Sequence, residues 1–357
     1  MKKIIALLLS ISMVILSSCS NNTTGNEDGQ EKISEDSNSS TEYVKPITIA
    51  IAASGNADGT LLGIVSKKYF EGINEVSGGK LDVQFFDDGQ LGGDTEILGG
   101  VKLGSIDIHV GSPSTLVNLI PELAILDIGG LYSDVDTCNK VLNGKFFNIL
   151  QKYYNEKGLQ LLNIYAATFR QTISDIPVKS VSDLKGLKFR TMENNYQAAY
   201  WEDLGTIPIP LSFSELYVAL QQGIVNSAEG ALSTSIVPMK LAELAHYLII
   251  TNHIPSIMTT TMNKAKWDSL SSENQKYLTD MFEGIENEVI KGQADDDERL
   301  IQLCKDKYKM EVIIPDQDLK DAIRNSSNKV IDLMKQNINP DFVDEYLSSV
   351  KEEENNK

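Results

Sequence analysis

The sequence predicts an α/β protein of two layered lobes, and three observations carry that prediction. From Ile47 onward, apolar runs of strand length alternate with helix-patterned segments, which implies parallel βαβ units. A glycine-bounded motif then recurs: Gly104-Ser-Ile-Asp-Ile-His-Val-Gly111 is echoed by Gly223-Ile-Val-Asn-Ser-Ala-Glu-Gly230. Each copy follows a helix and enters an apolar strand, as two matching lobe edges facing across a cleft would. Finally, residues 271–307 contain no proline and carry apolar residues at helical spacing. A single helix of that length reaches roughly 50 Å and would brace both lobes, whereas Gly284 and Gly292 offer two places for it to break.

Taken in order, Met1 to Ser18 has the parts of an export signal: Lys2 and Lys3, an apolar stretch from Ile4 to Leu16, and small residues before a cysteine. Leu16-Ser-Ser-Cys19 resembles the lipobox of bacterial lipoproteins, which implies cleavage before Cys19 and a lipid on its sulfur. Residues 19–45 are almost wholly polar and read as a disordered tether with a reach on the order of 30 Å. Ile47 to Ala53 reads as a buried strand, followed by a turn and a helix to about Val76. Leu81, Val83 and Phe85 alternate with polar residues as a second strand. A turn ending at Gly93, a helix from Asp94 to Leu103 stopped by Gly104, and a strand from Ile106 to Val110 follow. Further on, Ser180-Val-Ser-Asp183 and Ser212-Phe-Ser-Glu215 both match the capping box. Leu187 to Thr191 reads as a strand between them, with a helix from about Glu193 to Leu204 and another ending at Gly223. Lys351 to Lys357 is expected to be a frayed tail.

The formal charge of −18 argues against nucleic acid and anionic membrane surfaces as partners. Against that field the distribution of arginine is informative. Only four of the 32 basic residues are arginine, and Arg170 and Arg190 bracket one short segment. A planar guanidinium matches a carboxylate with two parallel hydrogen bonds, which lysine cannot do. Arg190 falls at the carboxyl end of its strand, where open α/β sheets bind ligands, and the next helix would direct its amino end to the same spot. Phe213 would sit at another helix start near the cleft. For either arginine alone, an ion pair with one of the protein's own 50 acidic residues is an equally good reading. Asp295-Asp-Asp-Glu298 reads as a solvated helix face, and no metal or cofactor is expected. With Cys19 assigned to lipid, Cys138 and Cys304 leave both a disulfide and two free thiols open.

Three motifs in register then carry a resemblance. Gly89-Gln-Leu-Gly-Gly-Asp94, Asp183-Leu-Lys-Gly-Leu-Lys-Phe-Arg190 and Phe213-Ser-Glu-Leu-Tyr-Val-Ala-Leu-Gln-Gln-Gly223 resemble the solute-binding proteins of tripartite ATP-independent periplasmic (TRAP) transporters, from about Ile47 to Val350. The resemblance implies a two-lobed periplasmic-binding-protein-like fold with a hinge and a long helix bracing both lobes, closing on an organic acid. Lobe I would take residues 46–167 plus 256–295, and lobe II residues 168–255 plus 296–350. It implies that Arg190 pairs with the ligand carboxylate, that Arg170 matches a second arginine used by some members, that Phe213 packs on the ligand and that Asp94 holds a polar site position. Two departures stand out. Gly230 occupies the place of a ligand-contacting asparagine, and Glu193 stands where an asparagine is often found.

The function expected on these grounds is a monomeric, lipid-anchored extracytoplasmic receptor that delivers a small carboxylate to a membrane permease. Two alternatives stay open: an exported carboxylate-processing enzyme and the binding protein of an ATP-driven transporter. The three histidines, His109, His246 and His253, form no metalloprotease helix, and no Gly-x-Ser-x-Gly elbow is present.

Overall fold

In the computed structural model, residues 45–55 and 58–357 are described. The export signal, Cys19 and nearly all of the tether lie outside the described residues. The chain enters a first sheet with β1 (Ile47–Ala52), α1 (Leu61–Val76), β2 (Leu81–Phe86), α2 (Asp94–Leu103) and β3 (Ile108–Gly111). Gly104 closes α2 with a left-handed φ of 78°, a conformation that costs glycine nothing. The third strand starts two residues later than Ile106 because the Asp107 carboxylate accepts the Ala50 N–H at 2.8 Å. Two 3₁₀ turns, α3 (Val135–Val141) and α4 (Phe147–Glu156) lead to β4 (Leu159–Phe169).

At Arg170 the chain crosses into a second sheet through β5 (Gln171–Ser174), β6 (Lys188–Thr191), α5 (Asn195–Asp203), β7 (Ile207–Pro210), α6 (Leu216–Gln221), β8 (Ser227–Gly230) and β9 (Tyr247–Ile249). It returns to the first sheet in β10 (Pro255–Asn263), then runs through α7 (Lys264–Ser269), α8 (Ser272–Asp306), β11 (Glu311–Ile313), α9 (Gln317–Asn337) and α10 (Pro340–Asn355). The first sheet has the order β2-β1-β3-β10-β4 and the second β11-β9-β5-β8-β6-β7.

The two orders share one plan. In the first, β3 pairs parallel with β1 and antiparallel with β10. In the second, β8 pairs parallel with β6 and antiparallel with β5. Each of the two strands follows a glycine of positive φ, Gly104 or Gly223, so the sequence echo marks equivalent βα edges of two lobes.

The chain crosses between the sheets at two neighbouring places, and they are bonded to each other. Arg170 donates its backbone N–H to the Ile254 carbonyl at 2.9 Å, and Gln171 and Asn252 exchange two hydrogen bonds of 2.5 and 3.1 Å. Helix α8 is the third connection. Its 35 residues run unbroken, about 52 Å at 1.5 Å per residue, packing on α1 and β4 at one end and on the 232–236 turn and β11 at the other. Gly284 and Gly292 do not break it. A Cβ at Gly284 would lie 2.4 Å from the Tyr69 ring and one at Gly292 3.1 Å from Leu61, so both glycines admit α1 at close range.

The C-terminus differs from expectation. Residues 351–355 are helical, because the Glu354 carboxylate accepts the Ser133 N–H and hydroxyl at 2.9 and 2.8 Å. Residues Phe342 and Tyr346 of α10 pack on Phe146, on the first lobe's side rather than the second's, while α9 packs on α5. Cys138 and Cys304 are both free and buried, and burial pushes the Cys304 thiol up to about 11. No helix among the described residues is long and apolar enough to cross a membrane.

Candidate functional site

Strand ends and helix starts from both sheets enclose one cavity. The first lobe contributes Ser54 after β1, Asp94 at the start of α2 and Ser112 after β3; the second contributes Arg170, Met192, Phe213 and Ser235. Three of the predicted site residues, Asp94, Arg170 and Phe213, are therefore on its wall. Arg190, Gly230 and Glu193 are not, and each has a different reason.

Arg190 is buried beside the wall. Its Nε and Nη2 donate to one carbonyl, that of Leu211, at 3.1 and 2.8 Å, and it makes no ion pair among the described residues. Burial, opposed by Glu229 and reinforced by the Arg170 charge, lowers its pKa to about 10. A buried guanidinium without a carboxylate partner is costly, and an incoming anion would relieve that cost.

Arg170 behaves differently. Its Nε donates to Glu229 Oε2 and its Nη2 to Oε1 at 2.6 Å, so the fork faces a carboxylate of β8. His253 completes the knot: Nε2 donates to Glu229 at 3.2 Å and Nδ1 accepts the Thr251 hydroxyl at 2.9 Å. Burial alone would raise the Glu229 pKa, but Arg170 and His253 hold it well below the usual carboxylate range. Burial keeps His253 neutral by lowering its pKa. The knot joins β8 to both inter-sheet crossings.

Asp94 accepts from Ser54 at 2.8 Å and from His109 Nε2 at 2.8 Å, both on Oδ1. Burial would raise its pKa; these bonds outweigh it and hold the group ionised. Its Oδ2 has no hydrogen-bond partner among the described residues. Gly111 makes room for this arrangement, since a Cβ there would stand 2.4 Å from the His109 ring.

Gly230 serves Ser235 in the same way. A Cβ at Gly230 would approach the Ser235 Cβ to 2.8 Å, and Ser235, not residue 230, reaches the cavity. Glu193 is exposed and points across the lobes: its Oε2 accepts the Thr95 hydroxyl and its carbonyl the Asn118 amide, both at 3.2 Å. The amino end of α5 does not face the cavity as the sequence suggested. Asn194 Oδ1 caps the helix, accepting from Tyr196 at 2.9 Å, and Asn194 and Gln197 both bind Asp127, at 2.6 and 3.0 Å. Burial raises the Asp127 pKa despite those bonds.

Sequence reasoning missed Glu229, Met192 and Ser235. Glu229 carried a signal: a lone carboxylate in a strand of small buried residues, Ser-Ala-Glu-Gly, requires a buried cation. Ser235 carried none, because its position depends on Gly230 through space. The acidic run on α8 is in part buried rather than fully solvated. Thr168 donates to Asp297, and Arg299 binds Asp296 at 2.6 Å. No cluster able to hold a metal occurs among the described residues.

Two lobes with duplicated edges, joined by crossing strands around a cavity, have the architecture of a ligand-binding receptor. The chain belongs to the bacterial extracellular solute-binding proteins of family 7 (DctP), whose model matches residues 52–337, and it is an extracytoplasmic solute-binding protein of the TRAP type. It is 31% identical over 276 residues to the 2,3-diketo-L-gulonate-binding periplasmic protein YiaO of Escherichia coli, an alignment that covers 77% of this chain and 83% of that one. Among solved structures it is similar to the sugar acid binding protein DctPAm from Advenella mimigardefordensis in complex with galactonate, with a TM-score of 0.81, 26% identity and coverage of 87% and 99%. It is also similar to a TRAP periplasmic solute binding protein from Bordetella bronchispeptica with density assigned to pantoate, with a TM-score of 0.78, 25% identity and coverage of 85% and 99%.

Proposed function

We propose that this receptor captures a small organic acid in the interlobe cavity and delivers it to a TRAP-type membrane permease. The carrying observation is Arg190, a buried guanidinium whose only acceptor among the described residues is a neutral carbonyl. Arg170 supports it from the cavity wall while remaining tied to Glu229. A carboxylate bound there gains charged hydrogen bonds of about 1.5–3 kcal/mol each. Phe213 supplies an apolar face, and Asp94 an acceptor for a second ligand group. The acids named for the relatives, diketogulonate, galactonate and pantoate, all carry a carboxylate, and that is the feature the two arginines recognise.

The moving bodies of this reading carry the two sheets, residues 46–167 with 256–295 and residues 168–255 with 296–337, turning about the paired crossings. A lipid at Cys19 would hold a monomeric receptor at the outer face of the cytoplasmic membrane, with the polar tether giving it reach. Cys19→Ser is expected to release the protein into the soluble fraction; retention of the variant at the membrane would remove the anchor.

The central test is calorimetry of acid binding by Arg190→Ala after native mass spectrometry has identified any retained acid. At least a tenfold loss of affinity is expected from the charged bonds removed. Unchanged affinity would place the carboxylate elsewhere.

A further inference from the structure

The cavity does not end at the interlobe face but continues beneath α1 into the first lobe. Its inner wall is Leu62 and Phe70 from α1 with Phe85, Val110 and Met258 from the sheet. The helix presents two small residues, Gly63 and Ser66, toward this space, and bulkier residues there would close it. The Phe70 and Phe85 rings lie 5.0 Å apart at its base. Besides Asp94 and Arg170, the polar side chains on the wall are hydroxyls, those of Thr60, Ser66, Thr234, Ser235 and Ser256 with Ser54 and Ser112, and no lysine, asparagine, glutamine or tryptophan is on it among the described residues. The Ser54 hydroxyl is bonded to Asp94 and that of Ser112 to Ser114 at 3.1 Å.

We propose that the ligand is a monocarboxylate with a hydrogen-bond donor on the carbon next to the carboxylate and an apolar tail. Its carboxylate sits at Arg170 on the wall, toward the Arg190 charge buried beside it, its donor on the free Oδ2 of Asp94, and its tail in the pouch under α1. This rests on the cavity being an organic-acid site. A second carboxylate would meet either the ionised Asp94 or the Phe85 wall, and both disfavour it. The deeper hydroxyls of a sugar acid would face Leu62, Phe70, Phe85, Val110 and Met258 with fewer partners than hydroxyls to satisfy. An acceptor in place of the donor would face the Asp94 carboxylate.

The test is calorimetry of ligand-stripped protein with six acids: 2-hydroxy-4-methylpentanoate, leucine, 4-methylpentanoate, glycolate, malate and gluconate. One of the first two is expected to bind at least about tenfold tighter than each of the last four, and which of them wins tells hydroxyl from ammonium. Ser66→Leu, which fills the pouch, is expected to abolish that advantage and leave glycolate binding within about twofold. Tighter binding of malate or gluconate, or equal binding of 4-methylpentanoate, would overturn the proposed ligand class while leaving the organic-acid reading intact. Absence of binding by all six, together with no retained acid in native mass spectrometry, would overturn both.

Discussion

The two arginines near the cavity carry the same charge in different settings. Arg170 is bound by Glu229, so Arg170→Ala strands a buried carboxylate and is expected to destabilise the fold by about 3–5 kcal/mol, measurable by urea unfolding. Arg190 leaves no carboxylate behind, and Arg190→Ala is expected to lose binding with little loss of stability. Equal destabilisation by the two variants would contradict this division. A third residue responds to pH. Glu286 on α8 is half-buried beside Asn163 and Asn143, and burial raises its pKa to about 7. A carboxyl whose folded pKa exceeds its unfolded value stabilises the fold fully below about 4.5, and that contribution is lost as pH rises through about 7. Glu286→Gln is therefore expected to raise the melting temperature at pH 8 but not at pH 4, and a uniform shift at both would remove the titration from the explanation.

At the scale of elements, α8 owes its contact with α1 to two missing side chains. Gly284 costs the helix up to about 1 kcal/mol of propensity, yet any side chain there drives into Tyr69. Gly284→Val is expected to destabilise the protein by about 1–3 kcal/mol, and Tyr69→Ala in the same chain to recover part of it. Additive losses in the double variant would show that the two residues do not meet. Helix periodicity made α8 legible in the sequence, but not its continuity, since a glycine at a break and a glycine at a close contact are the same letter. The Ser180 capping box was legible for a local reason: Asp183 accepts the N–H groups of Lys179 and Ser180 at 3.0 and 2.8 Å, bonds made within one turn; at the second predicted box the Ser212 hydroxyl donates to Glu215 instead, and α6 starts only at Leu216. The helical C-terminus was not, because Glu354 is held by Ser133, 221 residues away in the chain.

At the scale of the molecule, the lobes meet through the Arg170 knot at the crossings and through Glu193 at the rim. The knot is buried and the rim contact exposed, so closure depends on ligand contacts to both lobes rather than on the rim alone. Scattering is expected to show compaction when the acid binds. Glu193→Ala, which loses its hydroxyl bond to Thr95, is expected to weaken binding by less than about tenfold, mainly through faster release. Identical radii of gyration with and without ligand would argue against hinge closure.

Local chemistry alone determined the alternating βα elements, most of their caps, the duplicated glycine edge and the placing of two arginines around one segment. Those features depend on neighbours within a few residues. Which arginine lines the cavity, which one a buried glutamate holds, why residue 230 is a glycine, and that an apolar pouch opens beneath α1 were decided by the tertiary structure. Each of them depends on atoms brought together from distant strands, and an ion pair, a van der Waals contact or a void exists only once both sides are in place.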